Sequence, residues 1–487
     1  MESSLVGRTP SHRVFRATIH NTALIILRDT GLYKGASVTA ATVPIPRLAA
    51  LRHRDFRLVW TGELVSTIGS QMQLFAIDWH VFQLLRGQTL VFDLFGQPVT
   101  LNSQALGLGL LGLARVIPIM LFALVGGMLA DSRDRRKLMV FTRLVAAGLA
   151  LLLAALTLTG SATVGLIYVV MALAAGITAL DTPARQSLVP NLVPREHLAN
   201  AVSLNTLMWQ VATIAGPALT GIIIGAGASQ EAAMETEALN ARVGAVYAIN
   251  ALSFLVAVGA LALIRYRGGA ANPTGGIGWK PLVEGLRFTY NSRIIWGTML
   301  LDFFATFFSS ARTMLPIIAS EVLGVGAAGY GLLATAQPVG ALLAGTVAAL
   351  RKEIYHQGKV LLVSVAIYGA ATALFGLSTS FVLSYICFAL TGAGDTVSTV
   401  IRGTIRQILT PDYLRGRMTS VNMMFFMGGP QLGELEAGLV ASAFGAPFAI
   451  FTGGLATILL TGWISWKYPR LRNYTSDTAR EQLAASV

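Results

Sequence analysis

The sequence predicts an all-α membrane protein of twelve transmembrane helices in two pseudo-symmetric six-helix bundles, and three observations carry that expectation. The first is composition: hydrophobic residues make up 54% of the 487 and charged residues 12%, with a mean hydropathy of +0.64. A soluble domain carries about 25% charged residues, so most of this chain must face lipid. The second is length: twelve apolar segments are long enough, at about 1.5 Å per residue, to cross about 30 Å of hydrocarbon. They lie near 57–85, 105–130, 138–159, 164–183, 201–225, 243–264, 294–318, 330–350, 360–377, 381–401, 419–444 and 447–466. The third is an internal repeat. Pro194–Asn205 follows span 4 and Pro411–Asn422 follows span 10, each preceded by Arg-Gln (Arg185-Gln186, Arg406-Gln407). Two parallel six-helix halves place spans 4–5 and 10–11 in correspondence.

Each span is apolar around its whole circumference, whereas a soluble helix keeps its apolar residues to one stripe. Strands of a membrane barrel would be about ten residues with strict alternation, and no such pattern is expected here. The loops set the direction. Arg133, Arg135, Arg136 and Lys137 follow span 2; Arg185 and Arg195 follow span 4; Arg265, Arg267, Lys280, Arg287 and Arg293 follow span 6. Arg351, Lys352 and Lys359 follow span 8, and Arg402, Arg406, Arg415 and Arg417 follow span 10. The opposite loops hold Arg86 and Arg242, with Glu231, Glu235 and Glu237 in 228–242. By the positive-inside rule the basic loops and both termini are cytoplasmic, in a bacterial inner membrane. That placement also accounts for the net charge of +13. A nucleic-acid partner would need the basic residues gathered on one soluble face, and none is expected.

Five regions follow. Residues 1–50 are expected to form a cytoplasmic tail, with an over-long predicted start as the alternative, since Ala23–Leu27 is too short for a signal peptide. Residues 51–264 form the first half and 294–468 the second. Between them, 265–293 is a cytoplasmic linker with a Gly/Pro-rich stretch at Gly268–Gly276 and a surface helix from Pro281 to Tyr290; 469–487 is a second tail. The single cysteine, Cys387, rules out an intramolecular disulfide or a multi-cysteine metal cage. No cofactor or metal is expected.

Two motifs stand out, one between spans and one within a span. Between spans 2 and 3 stands Gly126-Gly127-Met-Leu-Ala-Asp131-Ser-Arg-Asp-Arg135-Arg136-Lys137. Small residues let helix backbones approach in lipid, and an acid with arginines one turn on can pair across an interface between halves. Span 5 contains Gly216-Pro217-Ala-Leu-Thr-Gly221, where proline removes a backbone donor and glycine leaves room for a neighbour. The first motif resembles the gating motif of the major facilitator superfamily, with Ser132 for its usual arginine and Asp134 for its usual glycine. The second is similar to the antiporter motif of exporters in that superfamily, although a packing role alone also accounts for it.

A narrower resemblance rests on Asp181-Thr-Pro183-Ala-Arg185-Gln186, Asn250-Ala-Leu-Ser253-Phe, Glu284-Gly-Leu-Arg287, Thr410–Arg417 and Leu432-Gly433-Glu434-Leu-Glu436-Ala-Gly438. These are similar to the enterobactin and siderophore exporter-like branch, of the transmembrane secretion effector type, over roughly residues 50 to 473. The resemblance implies proton-driven export from the cytoplasm. Insertions at about 86–104 and 228–242 depart from that branch.

An ionisable residue at mid-bilayer costs roughly 2.5–3.5 kcal/mol and therefore faces a wet cavity or a partner. Spans 1, 4, 7 and 10 line the cavity in the superfamily. Span 1 places Glu63, Thr67, Ser70, Gln71, Leu74 and Asp78 on one stripe; span 7 does so with Asp302, Thr306, Ser309 and Thr313, with Arg312 at its edge. Asp395 lies in span 10, Glu434 and Glu436 in span 11, and Arg115 near the middle of span 2. Glu63, Asp78, Arg115, Asp302, Arg312, Asp395, Glu434 and Glu436 are thus candidates for proton coupling or the substrate cavity. Structural ion pairs are the alternative for each acid. Asp302 is preferred over Asp78 as coupling acid, because Arg312 follows about three turns along the same helix and Arg115 is available across the cavity. Asp181 and Arg402 are expected at the interface, and His80 on a solvated surface.

The expected function is proton-coupled efflux of a siderophore-like or amphipathic molecule by a monomer, with the bilayer, protons and a small-molecule substrate as partners. A multidrug pump and a proton-coupled uptake permease are the alternatives within the fold. An enzyme is not expected: neither a phosphate-binding Gly-x-x-x-x-Gly-Lys-Ser/Thr loop, nor His-Glu-x-x-His, nor Gly-x-Ser-x-Gly occurs. A non-transporting receptor or scaffold is equally disfavoured.

Overall fold

The computed structural model describes residues 48–94, 97–132, 134–226, 236–266, 279–351 and 354–478, and all of these fall in one compact unit. Almost all of the first tail, the end of the second, the 268–276 stretch and most of the 228–242 insertion lie outside them. Among the described residues twelve long helices follow one another: α1 Arg54–Leu84, α2 Ser103–Ser132, α3 Arg135–Leu158, α4 Val164–Leu188, α5 Leu198–Gly225, α6 Thr236–Leu263, α7 Arg293–Phe308, α8 Gly326–Leu350, α9 Gln357–Leu377, α10 Phe381–Leu409, α11 Arg415–Phe444 and α12 Ala446–Lys467. Ten of the helical segments are long and apolar enough to cross a membrane by length and composition. The remaining two, α1 and α11, dilute their apolar runs with Glu63, Asp78 and His80, and with Glu434 and Glu436.

Local chemistry fixes several boundaries. Asp134 caps α3, its carboxylate accepting from the backbone N–H groups of Arg136 and Lys137. The Thr163 hydroxyl accepts from Leu166 N–H at the start of α4. Gly445 turns the chain from α11 into α12 at φ 90°, a left-handed value that a Cβ disfavours.

The same packing scheme occurs twice. In the first half α2 packs on α4, α3 on α6 and α1 on α5; in the second, α8 packs on α10, α9 on α12 and α7 on α11. The halves meet along α2 with α11 and α5 with α8. Both contacts depend on glycine. A Cβ on Gly109 would stand 2.7 Å from the Gly438 Cα, and one on Gly221 would stand 2.7 Å from the Gly331 Cα. In lipid, where apolar side chains gain nothing by leaving solvent, such close backbone packing is what holds helices together.

The two ends of the bundle can be told apart by the linker. Asp55, at the start of α1, accepts from the N–H groups of Arg265 and Tyr266 just beyond α6, which defines a linker end. The glycine contacts Gly109–Gly438 and Gly221–Gly331 lie toward the opposite, far end, at the start of α2 and α8 and the close of α5 and α11.

Three expectations change. Span 7 is not one helix: α7 stops at Phe308, and the chain resumes as a 3-10 turn at Arg312–Met314, a short α-turn and a π-turn at Ile318–Val322. The break is satisfied by neighbours, as backbone in a membrane requires. Tyr368 donates to Ser309 O, Ser310 donates to Pro430 O, and the Ser309 and Thr457 hydroxyls are 2.8 Å apart. The 86–104 insertion contains an antiparallel hairpin, β1 Thr89–Leu94 with β2 Gln97–Asn102, whose second strand lies against α11. Finally, α4 and α10 run on beyond the predicted spans, so Arg185, Arg402 and Arg406 are helical rather than in loops.

Candidate functional site

Among the described residues, three groups of charged side chains lie inside the bundle. The first joins the halves. Arg115 of α2 donates to the Asp78 carboxylate of α1 at 3.0 Å and to the Glu434 carboxylate of α11 at 3.5 Å. Arg312, just after the break in span 7, lies 3.7 Å from the other oxygen of Asp78 and 3.9 Å from the other oxygen of Glu434. Its guanidinium also sits over the Phe75 ring. Two acids and two arginines therefore alternate, each half supplying one of each. The sequence allows this locally through Gly112, where a Cβ would meet the Glu434 side chain at 2.8 Å. The contacts are unequal. Arg115 is hydrogen-bonded to both acids, whereas Arg312 is held at ion-pair distance, its Nε and Nη2 without hydrogen-bond partners.

The second group belongs to the first half. Arg143 of α3 donates to Glu63 of α1 at 2.9 Å and to Asp181 of α4 at 2.8 Å, and Thr142 donates to Asp181 at 2.7 Å. Arg185 stands 3.9 Å from Glu63. The third belongs to the second half: Arg402 of α10 pairs with Asp302 of α7 at 2.7 Å and lies 3.6 Å from Asp395. Arg406, one turn on, donates to the amide oxygen of Asn422, the last residue of the second repeat segment.

Several assignments are thereby corrected. Asp302 is not paired with Arg115 or Arg312. Arg402 holds it within its own half, and the broken helix carries Arg312 away to Asp78. Asp181 and Arg402, expected near the cytoplasmic ends of their spans, are enclosed by neighbouring helices at 6% and 1% exposure rather than left open. His80 is buried too, its ring nitrogen 3.2 Å from the Tyr247 hydroxyl. Glu436 is half-buried and makes no ion pair among the described residues. Arg143 escaped the sequence reading. Its one signal was a lone charge well inside an apolar run.

The two motifs divide. Arg135 donates to Ser187 O and Arg136 to Ala262 O, so both arginines of the gating motif tie α3 to the ends of α4 and α6 within the first half. Among the described residues neither arginine reaches the second half. Gly127 lies in α2, and the Asp131 side chain falls outside the described residues. In the other motif, Gly216 lies against Gln71 of α1, and Gly221 against Gly331 of α8. Pro217 is enclosed in α5, with its carbonyl facing Gly331. The motif thus packs one helix against a neighbour in each half.

Polar residues of the α1 stripe, including Thr67, Ser70 and Gln71, line a cavity of about 300 Å³ in the first half. It reaches Arg115 at one extreme and Arg143 and Arg185 at the other. A second cavity of about 430 Å³ opens at the linker end among α1, α4 and α5. Among the described residues no three His, Cys, Asp or Glu side chains converge as metal ligands.

Comparison with known proteins agrees with this architecture. The chain is 26% identical over 418 residues to the enterobactin exporter of Citrobacter koseri, covering 84% of this chain and 92% of that one. It is 25% identical over 368 residues to the staphyloferrin A transporter of Staphylococcus aureus, covering 74% and 88%. Among solved structures, a bacterial homologue of the lysosomal transporter Spinster, inward-facing and occupied, superposes with a TM-score of 0.63 at 14% identity, over 86% of this chain and 98% of the other. A bacterial homologue of the iron transporter ferroportin, inward-facing, gives 0.62 at 14% identity, over 86% and 99%. Residues 45–485 match the transmembrane secretion effector family. With its broken seventh span, its glycine-packed halves and its buried charges, the chain belongs to that family of the major facilitator superfamily and is a multi-pass membrane transporter.

Proposed function

We propose that this transporter exports a siderophore-like or amphipathic small molecule across a bacterial inner membrane at the expense of inward proton movement. The single chain is the working unit, and the linker end and both termini are cytoplasmic. The clustering of Lys and Arg in the loops of one side supports the orientation. The enterobactin exporter and the staphyloferrin A transporter support the substrate class.

The observation that carries the coupling is the ring of Asp78, Arg115, Glu434 and Arg312 between the halves. Opening the bundle at its far end separates Asp78 and Arg115 from Glu434 and Arg312. That breaks ion pairs in a low-dielectric setting, where uncompensated charge is expensive. A proton on Asp78 or Glu434 removes one charge from the ring and weakens its hold across the interface. Asp78 replaces Asp302 as preferred coupling acid, because it faces arginines from both halves. A proton crossing about 150 mV releases roughly 3.4 kcal/mol. At about 1.4 kcal/mol per tenfold, that sustains a gradient of about 300-fold per neutral molecule exchanged.

Everted vesicles provide the test. With an imposed proton gradient, wild-type protein should accumulate enterobactin, and an uncoupler should abolish the accumulation. Asp78→Asn should retain exchange of labelled substrate while losing accumulation. Accumulation that survives the uncoupler would sink the coupling, and uptake in the opposite sense would make the protein a permease. Transport of ethidium but not of enterobactin or staphyloferrin A would make it a multidrug pump.

A further inference from the structure

We propose that the 430 Å³ cavity at the linker end is a binding site for a planar aromatic anion, with Arg185 and Trp209 forming the passage from it to the inner cavity. This rests on the exporter reading and names the chemistry of the group that enters first. The cavity is walled by the first turns of α1, the end of α4 and the first half of α5. Its volume falls within the roughly 300–1,000 Å³ range of small-molecule sites. Arg185 and Trp209 also line the 300 Å³ cavity that leads to Arg115. They are therefore the shared wall between vestibule and interior.

Arg185 lines the cavity with its side chain 26% exposed and has no committed hydrogen-bond partner of its own among the described residues. Glu63 commits one carboxylate oxygen to Arg143 at 2.9 Å, and that same oxygen is the one 3.9 Å from Arg185. Arg185 is thus near an acid already held by another arginine, and its own Nε is buried without a hydrogen-bond partner. The second oxygen of Glu63 is buried and unpartnered as well. A guanidinium fork in this condition matches a flat carboxylate or phenolate edge.

The walls supply the flat surfaces. Trp60 donates its indole N–H to Leu204 O at 3.1 Å, which fixes that ring. Trp209 is 49% exposed, a large area of aromatic surface to leave uncovered at a cavity wall. Two indoles beside one arginine favour a conjugated anion, because the rings stack and the fork pairs. A neutral sugar could lie on an indole but would leave the Arg185 guanidinium without a counter-charge. A quaternary amine would meet Arg185 with like charge.

The test uses purified full-length protein, calorimetric titration with salicylate, and the neutral analogue salicylamide. Wild type should bind salicylate more tightly. Trp209→Ala should weaken both ligands at least tenfold, and Trp209→Phe should restore them. Arg185→Gln should lower salicylate affinity to that of salicylamide and leave salicylamide unchanged, which also shows that the variant is folded. Unchanged salicylate affinity in both Trp209→Ala and Arg185→Gln would overturn the site, as would equal losses of the two ligands in Arg185→Gln. Proton-driven accumulation of enterobactin without salicylate binding would remove the site and leave the exporter. Salicylate binding without driven transport would remove the exporter and leave the site.

Discussion

The two halves place charge at matching positions and use it differently. Glu63 and Asp302 stand at the same distance from Arg54 and Arg293, the first residues of α1 and α7. Asp181 and Arg402 both precede the Arg-Gln pair of their repeat segment by one helical turn, and they have opposite signs. In the first half an arginine from a third helix, Arg143, ties the acids of α1 and α4 together, with Arg185 as a second, looser cation. In the second half the tenth helix brings its own arginine, and Arg402 serves Asp302 and Asp395 alone. Duplication preserved where charge sits along the helices and left its sign and donor helix free. The first half keeps a spare cation beside two cavities; the second is closed around a single arginine.

The largest effect should therefore come from Arg402. Arg402→Gln leaves Asp302 buried with no other cation within ion-pair distance among the described residues. Stranding one member of a buried pair costs about 3–5 kcal/mol. Thermal unfolding in detergent should show a marked loss of stability, and adding Asp302→Asn should recover most of it. Recovery would show that the loss came from stranded charge. Without recovery, Arg402 would be a packing residue and the comparison of halves would fail.

Arg143→Gln should cost less, about 1.5–3 kcal/mol, the worth of hydrogen bonds to charged groups, because Arg185 remains 3.9 Å from Glu63 and Thr142 still donates to Asp181 at 2.7 Å. The same thermal assay measures it. Adding Arg185→Gln should then bring the loss up to that of Arg402→Gln. If Arg143→Gln alone already equals Arg402→Gln, Arg185 is not a reserve cation.

Much of this was legible in the sequence. Apolar length located the long helices, because a chain with so few charges has few ways to hide from water. The repeat after spans 4 and 10 pointed to the two halves. Cation positions were harder. Arg185, Arg402 and Arg406 look like loop charges when every arginine near a span end is counted as positive-inside, yet the helices continue past them. Arg143 needed a partner to become visible, and Glu63 and Asp181 come from other helices far away in sequence. The break after Phe308 has no glycine or proline at Ser309–Ala311; it is accommodated by Tyr368, Thr457 and the Pro430 carbonyl on other helices, partners that no local pattern reveals. The hairpin did leave a local trace in the β-branched and aromatic residues of Thr89–Leu94, set aside as an insertion.

The smallest effect sharpens the comparison most. Asp181 and Asp395 are the fourth- and tenth-helix acids of the two networks, and neutralising each asks whether it is a fixed member. Asp181 is buried and accepts from Thr142 at 2.7 Å and Arg143 at 2.8 Å. Asp181→Asn keeps one acceptor oxygen but weakens two short bonds, and should cost about 1–2 kcal/mol. The Asp395 side chain is 40% exposed and 3.6 Å from Arg402, which already holds Asp302 at 2.7 Å. Screened, half-exposed pairs contribute about 0–1 kcal/mol, so Asp395→Asn should scarcely move the unfolding temperature. An effect as large as that of Asp181→Asn would make the second-half network a true triad like the first. If Asp395→Asn is silent in stability but alters transport, its exposed carboxylate faces what passes through the bundle, and the second half contributes to substrate handling through that one acid while Asp302 stays locked.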